Sequence, residues 1–233
     1  QRWHGSSMSR QVRTKAIVLR RTNYGEADRI LQLLTLDEGA VTVIAKGARR
    51  EKSKLAGGIE LFAVCDVSFI AGKGDMGTLT GSRLVIFYGH IIEQYDRLQF
   101  GYEAIKQIAT ASQQVTDKAF FHLLEQLFDA LDDLAIDEQI VKSWFWLQLA
   151  ILLGVGLNLS TDDNGMKLVE ESRYDFDESE MSFVYKDNGR FTTQHIKLLR
   201  LMSAQSPKIV SQVKDVDMLV DDCLWLSERI VAR

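Results

Sequence analysis

From Val12 to Phe87 the apolar positions come in short runs rich in Val and Ile, separated by glycine or charged turns. A period of about two over such runs predicts β-strands. Five strands are expected. The first covers about 13–22, the second about 28–36, the fourth about 60–70 and the fifth about 78–87. In the third, Val41, Val43 and Ala45 alternate with Thr42, Ile44 and Lys46. Asp37-Glu38-Gly39 makes a tight turn before it, and Gly72-Lys73-Gly74-Asp75-Met76-Gly77 forms the tip of a long hairpin. Five strands within about 75 residues predict a small barrel, because closure removes the edges that an open sheet would expose.

After Gly89 the period lengthens to about 3.6, the repeat of a helix. Ile91, Tyr95, Leu98, Tyr102 and Ile105 make one stripe, and Phe121, Leu124, Phe128 and Leu131 another. The stretch from about 139 to 154 is apolar almost all round, which predicts a helix enclosed by others and ended by Gly154 and Gly156. Residues 157–190 break the rhythm with Asn, Asp, Ser and Gly, and carry two β-like pieces, Met166 to Val169 and Met181 to Lys186. Helical spacing resumes at Thr193. Pro207 marks a turn before a last helix whose inner face carries Val216, Leu219, Cys223, Leu226 and Ile230. The expected fold is α+β: a five-stranded barrel followed by a helical domain with a small irregular β-containing insertion. The expected boundaries are a leader or tag remnant at 1–11, the barrel at 12–89 and the helical domain at 90–233.

Of the 233 residues, 46% are hydrophobic and 26% charged, a composition that excludes a disordered chain. The longest nearly apolar run, Trp144 to Leu157, is too short for a bilayer, which needs about 20 residues, so no membrane span is expected. Two cysteines, Cys65 and Cys223, make neither a disulfide framework nor a zinc site, and a cytoplasmic setting is expected. The net charge of -4 conceals a division. Residues 1–90 hold 14 Lys/Arg against 8 Asp/Glu, a net of +6, and residues 91–233 hold 14 against 24, a net of -10. A basic front half is what a domain facing a polyanion would carry.

No catalytic set is assembled. The four histidines are scattered, with no HExxH pair, and there is no GxSxG elbow. Gly72 and Gly77 have Walker spacing, but Thr78-Leu79 follows and the flanks read as strands. No catalytic residue, metal ligand or cofactor is expected, and no enzyme activity. The strongest local signal is Lys46-Gly47-Ala48-Arg49-Arg50-Glu51-Lys52-Ser53-Lys54, five cations against one anion after the third strand. Like charges so close repel unless solvent or a polyanion offsets them, and a cation placed on a phosphate releases condensed counterions. Arg13, Lys15, Arg20, Arg21 and Arg29 lie on or beside the first two strands, and Lys73 sits at the hairpin tip, free to touch a phosphate backbone. With strands one to three forming one face, these residues predict a cationic groove, with Tyr24 as a stacking platform or a plain packing residue.

The run Lys15-Ala16-Ile17-Val18-Leu19-Arg20, then Tyr24-Gly25-Glu26-Ala27-Asp28-Arg29-Ile30-Leu31, Gly39, Ala45-Lys46-Gly47-Ala48-Arg49-Arg50 and Leu61-Phe62 resembles the RecO family of bacterial recombination mediators. The resemblance covers roughly residues 13–90 in order and spacing, and continues more loosely through Tyr102-Glu103 and Leu152-Leu153-Gly154. It implies an OB-fold followed by a helical domain, binding of single- and double-stranded DNA, annealing of complementary strands and DNA repair without catalysis. It further implies action with RecR to load RecA on DNA coated by single-stranded DNA-binding protein (SSB), whose C-terminal tail would dock on the helical domain. There, Arg97, Lys106, Lys118 and Lys142 supply cations. Position by position, it marks Arg20, Arg29, Lys46, Arg49, Arg50, Lys52 and Lys54 as facing DNA. The charge pattern adds Arg21 and Lys73. The competing expectation is an adaptor whose basic barrel meets an acidic protein.

One departure from the family is plain. Many members place four cysteines as a zinc site after the central helix, whereas residues 157–190 hold neither cysteine nor histidine. Zinc is not expected, and Leu168, Val169, Tyr174, Phe176, Phe183 and Tyr185 are the expected apolar anchors of this lobe.

Overall fold

In β1 (Gln11–Tyr24) Val12, Thr14, Ala16 and Val18 are buried while Arg13 and Lys15 are exposed, so the alternation in the sequence is also the alternation of burial. The computed structural model describes residues 9–232 and separates into two units, 1–128 and 129–233. Residues 1–8 of the expected leader lie outside the described residues. Arg10 meets Glu38 through two hydrogen bonds of 3.0 and 2.7 Å, and Gln11 opens the first strand.

The first unit is built on β1, β2 (Asp28–Thr35), β3 (Gly39–Ala45), β4 (Ala63–Ile70) and β5 (Met76–Phe87), closed in the order β1-β2-β3-β5-β4. This is an OB-fold barrel. All contacts between strands are antiparallel except β3 with β5, where Thr42, Val43 and Ile44 run parallel to Met76, Gly77 and Thr78. β1 serves two neighbours, its first half matching β4 from Gln11↔Ile70 to Ala16↔Cys65 and its second half matching β2. The register to β2 slips by one between Val18↔Leu33 and Arg20↔Gln32, leaving Leu19 as a bulge where the strand bends. Ala16, Val18, Leu31, Leu33, Val43, Cys65 and Val67 fill the interior.

Three helices follow, α1 (Gly89–Glu93), α2 (Tyr95–Ser112) and α3 (Lys118–Asp132). Of the expected stripe Ile91 and Ile105 are buried and Leu98 partly so, but the buried face of α2 runs through Phe100, Ala104, Ile105 and Ile108 rather than through the tyrosines. Tyr95 is 74% exposed and Tyr102 46%. The tyrosines keep their hydroxyls in water while the i, i+4 spacing of Phe100, Ala104 and Ile108 supplies the inner face. Arg97, expected as a solvated cation, is buried, and Lys118 reaches Asp37 at 3.4 Å. Phe62 holds left-handed backbone (φ 53°) just before β4 and packs edge-on against Tyr102 and Phe128 at 5.2 and 5.6 Å. Gly101 makes that possible, since a Cβ there would lie 2.6 Å from the Phe62 ring.

The second unit is organised by α4 (Glu138–Leu152), which Asp137 caps by accepting the Gln139 amide at 2.7 Å. Trp144, Phe145, Leu147 and Leu149 are buried on several sides of it, as an enclosed helix requires. A small sheet of β6 (Arg173–Asp177), β7 (Ser182–Tyr185) and β8 (Phe191–Thr192) in the order β7-β6-β8 precedes α5 (Thr193–Ala204), the short α6 (Pro207–Val210) and α7 (Val216–Val231). Val220, not Leu219, completes the inner face of α7.

Met166 to Val169 forms no full strand, only the isolated antiparallel bridge of Lys167 with Thr161, beside which the Leu168 amide donates to the Ser160 carbonyl at 3.4 Å. At its two ends Asp162 Oδ1 accepts the Met166 amide at 2.9 Å and Tyr174 Oη accepts the Val169 amide at 3.0 Å, so the ladder goes no further. Val169 and Tyr185 are exposed, Tyr185 meeting Tyr174 only edge-on at 6.3 Å; Leu168 and Phe176 are half-buried, and the buried rings are Tyr174, Phe183 and Phe191. Among the described residues no three His, Cys, Asp or Glu side chains gather as a metal set. Polar ties join this lobe to the helices: Arg200 Nε to the Leu159 carbonyl at 2.7 Å, Lys197 to Glu170 at 2.6 Å and Arg229 to Glu178 at 2.7 Å. Arg190 and Arg229 cover Trp225 at 4.1 and 4.3 Å from the ring centre.

His195 closes the N-terminus of α5. Its Nδ1 accepts the Thr192 amide at 3.0 Å, which assigns the ring proton to Nε2 and makes that nitrogen the donor to Asp222 at 2.9 Å. Burial holds the imidazole below its ordinary value of 6.5, while the Asp222 carboxylate acts in the opposite sense. As the pH falls, the unfolded chain takes up this proton first. The stability contributed here is therefore present above about 6.5 and lost as the pH falls below it. In urea melts between pH 8 and 5.5, His195→Gln is expected to flatten the decline seen in the unaltered chain; equal slopes would remove His195 from that account.

Candidate nucleic-acid interface

The connection from β3 to β4, residues 46–62, carries the basic cluster and is held in place along its length. Gly47 donates to Asp28 Oδ1 at 2.7 Å, and the Arg49 amide donates to the Ala27 carbonyl at 2.9 Å. The half-buried Arg49 guanidinium donates through Nε to the Asp28 carbonyl at 3.2 Å and through Nη2 to the Gly25 carbonyl. Arg49 thus clamps the β3–β4 connection to the β1–β2 turn, where Gly25 takes the left-handed backbone (φ 57°) the turn needs. At the far end Phe62 is fixed between α2 and α3. Between these two points turns at Arg50 and Ser53 close with hydrogen bonds of 3.0 Å, and Lys46, Arg50, Lys52 and Lys54 project into solvent. A run of exposed cations is thus presented on a chain of hydrogen-bonded turns anchored at both ends.

The remaining predicted residues divide. The bulge at Leu19 places Arg20 on the outer wall, in one row with Gln32, Thr42 and Met76 across β1, β2, β3 and β5. Arg21 takes the opposite side, matching core residue Leu31, and reaches over the barrel end to the Ile59 carbonyl and Glu60, both at 3.4 Å. Arg29 shares that inward side, between Asn23 and Ala45. Lys73 is exposed at the β4–β5 tip, at the other end of the barrel from the cluster, because Met76 beside it matches Thr42 while Lys46 follows Ala45. Among the described residues Arg20, Arg29, Lys46, Arg49, Arg50, Lys52, Lys54 and Lys73 form no ion pair. The barrel cations that do are Arg10 with Glu38, Arg21 with Glu60 and Arg83 with Asp66.

The outer wall of β1-β2-β3 is not uniform. Ile17, Leu19 and Leu34 are buried on its lower part, and α2 packs against β1 and β3, leaving a cleft of about 220 Å³ between Leu19, Gln32, Thr42, Ala109, Ser112 and Thr116. The upper part, nearest the basic cluster, is open: Arg20, Thr22 and Tyr24 are exposed, and Ile30 and Ile44 partly so. Tyr24, 54% exposed, offers a ring at the β1–β2 turn. Thr22, Ile30, Gln32 and Ile44 were not singled out from the sequence. Their signal was present in the alternation, since a strand that buries Leu31, Leu33 and Val43 must turn residues 30, 32, 42 and 44 outward.

Residues 8–88 match the family described as Recombination protein O N terminal. The chain is 36% identical over 143 residues to a DNA repair protein RecO of Rubrobacter xylanophilus, covering 61% of this chain and 57% of that one. It is also 36% identical over 131 residues to a DNA repair protein RecO of Dehalococcoides mccartyi, covering 56% and 51%. With the protein of the same description from Synechococcus elongatus the identity is 52% over 66 residues, 28% of this chain and 25% of that one. The chain thus spans little more than half the length of the first of these curated relatives.

Proposed function

We propose, for a chain that belongs to the RecO family of DNA repair proteins, that the barrel binds the sugar-phosphate backbone of DNA in recombinational repair. The observation that carries this reading is the run of cations Lys46, Arg50, Lys52 and Lys54, in no ion pair among the described residues and set on a connection that Arg49 and Phe62 hold at its two ends. Each phosphate seated on such a cation releases condensed counterions, and a fixed backbone lowers the ordering cost of binding. Arg20 extends the positive field onto the open wall of β1-β2-β3, where Tyr24 supplies a face on which a base can stack.

The chemistry is binding and alignment, not turnover. Neutralising the backbone of a single strand lowers its repulsion toward a second one while leaving base edges free to pair, and annealing follows from that. The family resemblance extends the proposal to single- and double-stranded DNA, to RecR, to the SSB C-terminal tail and to loading of RecA on SSB-coated DNA, in the cytoplasm. Fluorescence anisotropy of labelled single-stranded DNA across a salt series tests the core of it. About five phosphate contacts give a slope of log K against log[salt] of about -3.5. A flat profile, or no binding at low salt, overturns the proposal.

A further inference from the structure

A second cationic surface lies on the other flank of β1. Its first half faces β4, and the register sets Arg13, Ser68 and Gly81 in one row and Lys15, Asp66 and Arg83 in the next, all on the outer wall. Together with Ser82 they line a shallow concavity of about 480 Å³ across β1, β4 and β5. Arg83 holds Asp66 at 2.5 Å, so the one carboxylate in the concavity is already neutralised, while Arg13 and Lys15 are exposed and, among the described residues, in no ion pair. Three cations against one carboxylate leave the surface positive.

The shape identifies the class of ligand. A lone phosphate is held by donors that converge on one point, whereas here the two free cations sit two residues apart on one strand, about 6.6 Å along it. They are spread as the phosphates of an extended strand are spread. Ser68 lies in the Arg13 row, where its hydroxyl can donate to a phosphate oxygen, while the Ser82 hydroxyl is committed to the Leu55 carbonyl at 3.3 Å. The start of the basic β3–β4 connection, Lys46 to Arg50, is tied to the β1–β2 turn at the far end of β1 from Arg13 and Lys15, and only its later part, at Leu55, reaches Ser82 beside the concavity.

The geometry points to a second phosphodiester-binding site on the β1-β4-β5 wall, which holds another strand while the β3–β4 connection holds the first. This inference rests on the proposed DNA binding and gives that reading two places for two strands on one barrel. Sedimentation of the full chain with dodecathymidylate at low salt measures strands bound per chain, with inorganic phosphate in parallel as competitor. The expected result is two strands for the unaltered chain and one for the Arg13→Ala/Lys15→Ala double variant, whose tight first site keeps its affinity within about twofold; millimolar phosphate displaces neither. Both side chains are exposed, and an unchanged circular-dichroism melt verifies that the variant folds. One strand on the unaltered chain, two on the variant, or release of the second strand by phosphate overturns the inference and leaves the first site standing. No strand at all overturns both.

Discussion

Replacing Lys46, Arg50, Lys52 and Lys54 together by alanine is expected to weaken single-stranded DNA binding by about ten- to a hundredfold near physiological salt, with the same loss for every sequence. The four side chains are exposed and, among the described residues, in no ion pair, so their removal should leave the fold alone and subtract phosphate contacts only. Four contacts at about 0.7 each should also make the slope of log K against log[salt] shallower by about 3. Arg49 stays in place because its guanidinium binds the carbonyls of Gly25 and Asp28 and shapes the β1–β2 turn, so its loss would mix structure with charge. Affinity and slope both unchanged in the quadruple variant would move DNA binding away from this connection.

The largest effect on stability is expected from Trp144→Ala. The ring is 2% exposed at the centre of α4, and its Nε1–H donates to the Gln205 carbonyl at 2.9 Å. Truncation removes a large apolar surface, leaves a cavity and orphans that carbonyl. The loss is about 3–5 kcal/mol for the ring, with about 1 kcal/mol more for the acceptor. Ile151→Ala on the same helix is the control, since Ile151 is 44% exposed and its truncation should cost about 0.5 kcal/mol or less. Urea melts followed by circular dichroism separate the two. A Trp144→Ala midpoint as close to the unaltered chain as that of Ile151→Ala would mean that α4 is not the organising helix.

The barrel was legible because stretches such as residues 11–16 of β1, 30–33 of β2 and 65–70 of β4 bury alternate positions, which writes a period of two directly into the residue order. Gly39 and the glycine-rich tip before Met76 gave the turns for the same reason. The enclosed α4 was legible from Trp144, Phe145 and Trp146 in succession, which no helix with a solvated side would carry. Burial of Phe100 and Ala104 in place of Tyr95 and Tyr102 was not, because a tyrosine satisfies an apolar stripe on paper and solvent in the folded chain equally well. Residues 166–169 read as a strand by composition but pair only through Lys167 with Thr161, because Asp162 and Tyr174 capture the amides of Met166 and Val169, a local competition that periodicity does not register. In the candidate site, the sequence marked the right charges without their geometry. Arg49 looked like one more cation of the cluster, yet its partners are backbone carbonyls brought near by the turn at Gly25, and backbone acceptors have no signature in residue type.

The bulge at Leu19 has a consequence for the two arginines that follow it. Side chains of a strand alternate, so one supernumerary residue reverses inside and outside for everything downstream. The bulge is what sets Arg20 opposite Gln32 on the outer wall and Arg21 opposite Leu31 on the inner side. Were the ladder to run on regularly from Val18, with Leu19 opposite Gln32, Arg20 would fall opposite Leu31 and face the interior while Arg21 turned out to solvent, with the number of positive charges unaltered. At this point in the chain, register matters more than residue type: a shift of one position would rewire the wall that a lysine-for-arginine swap would barely disturb.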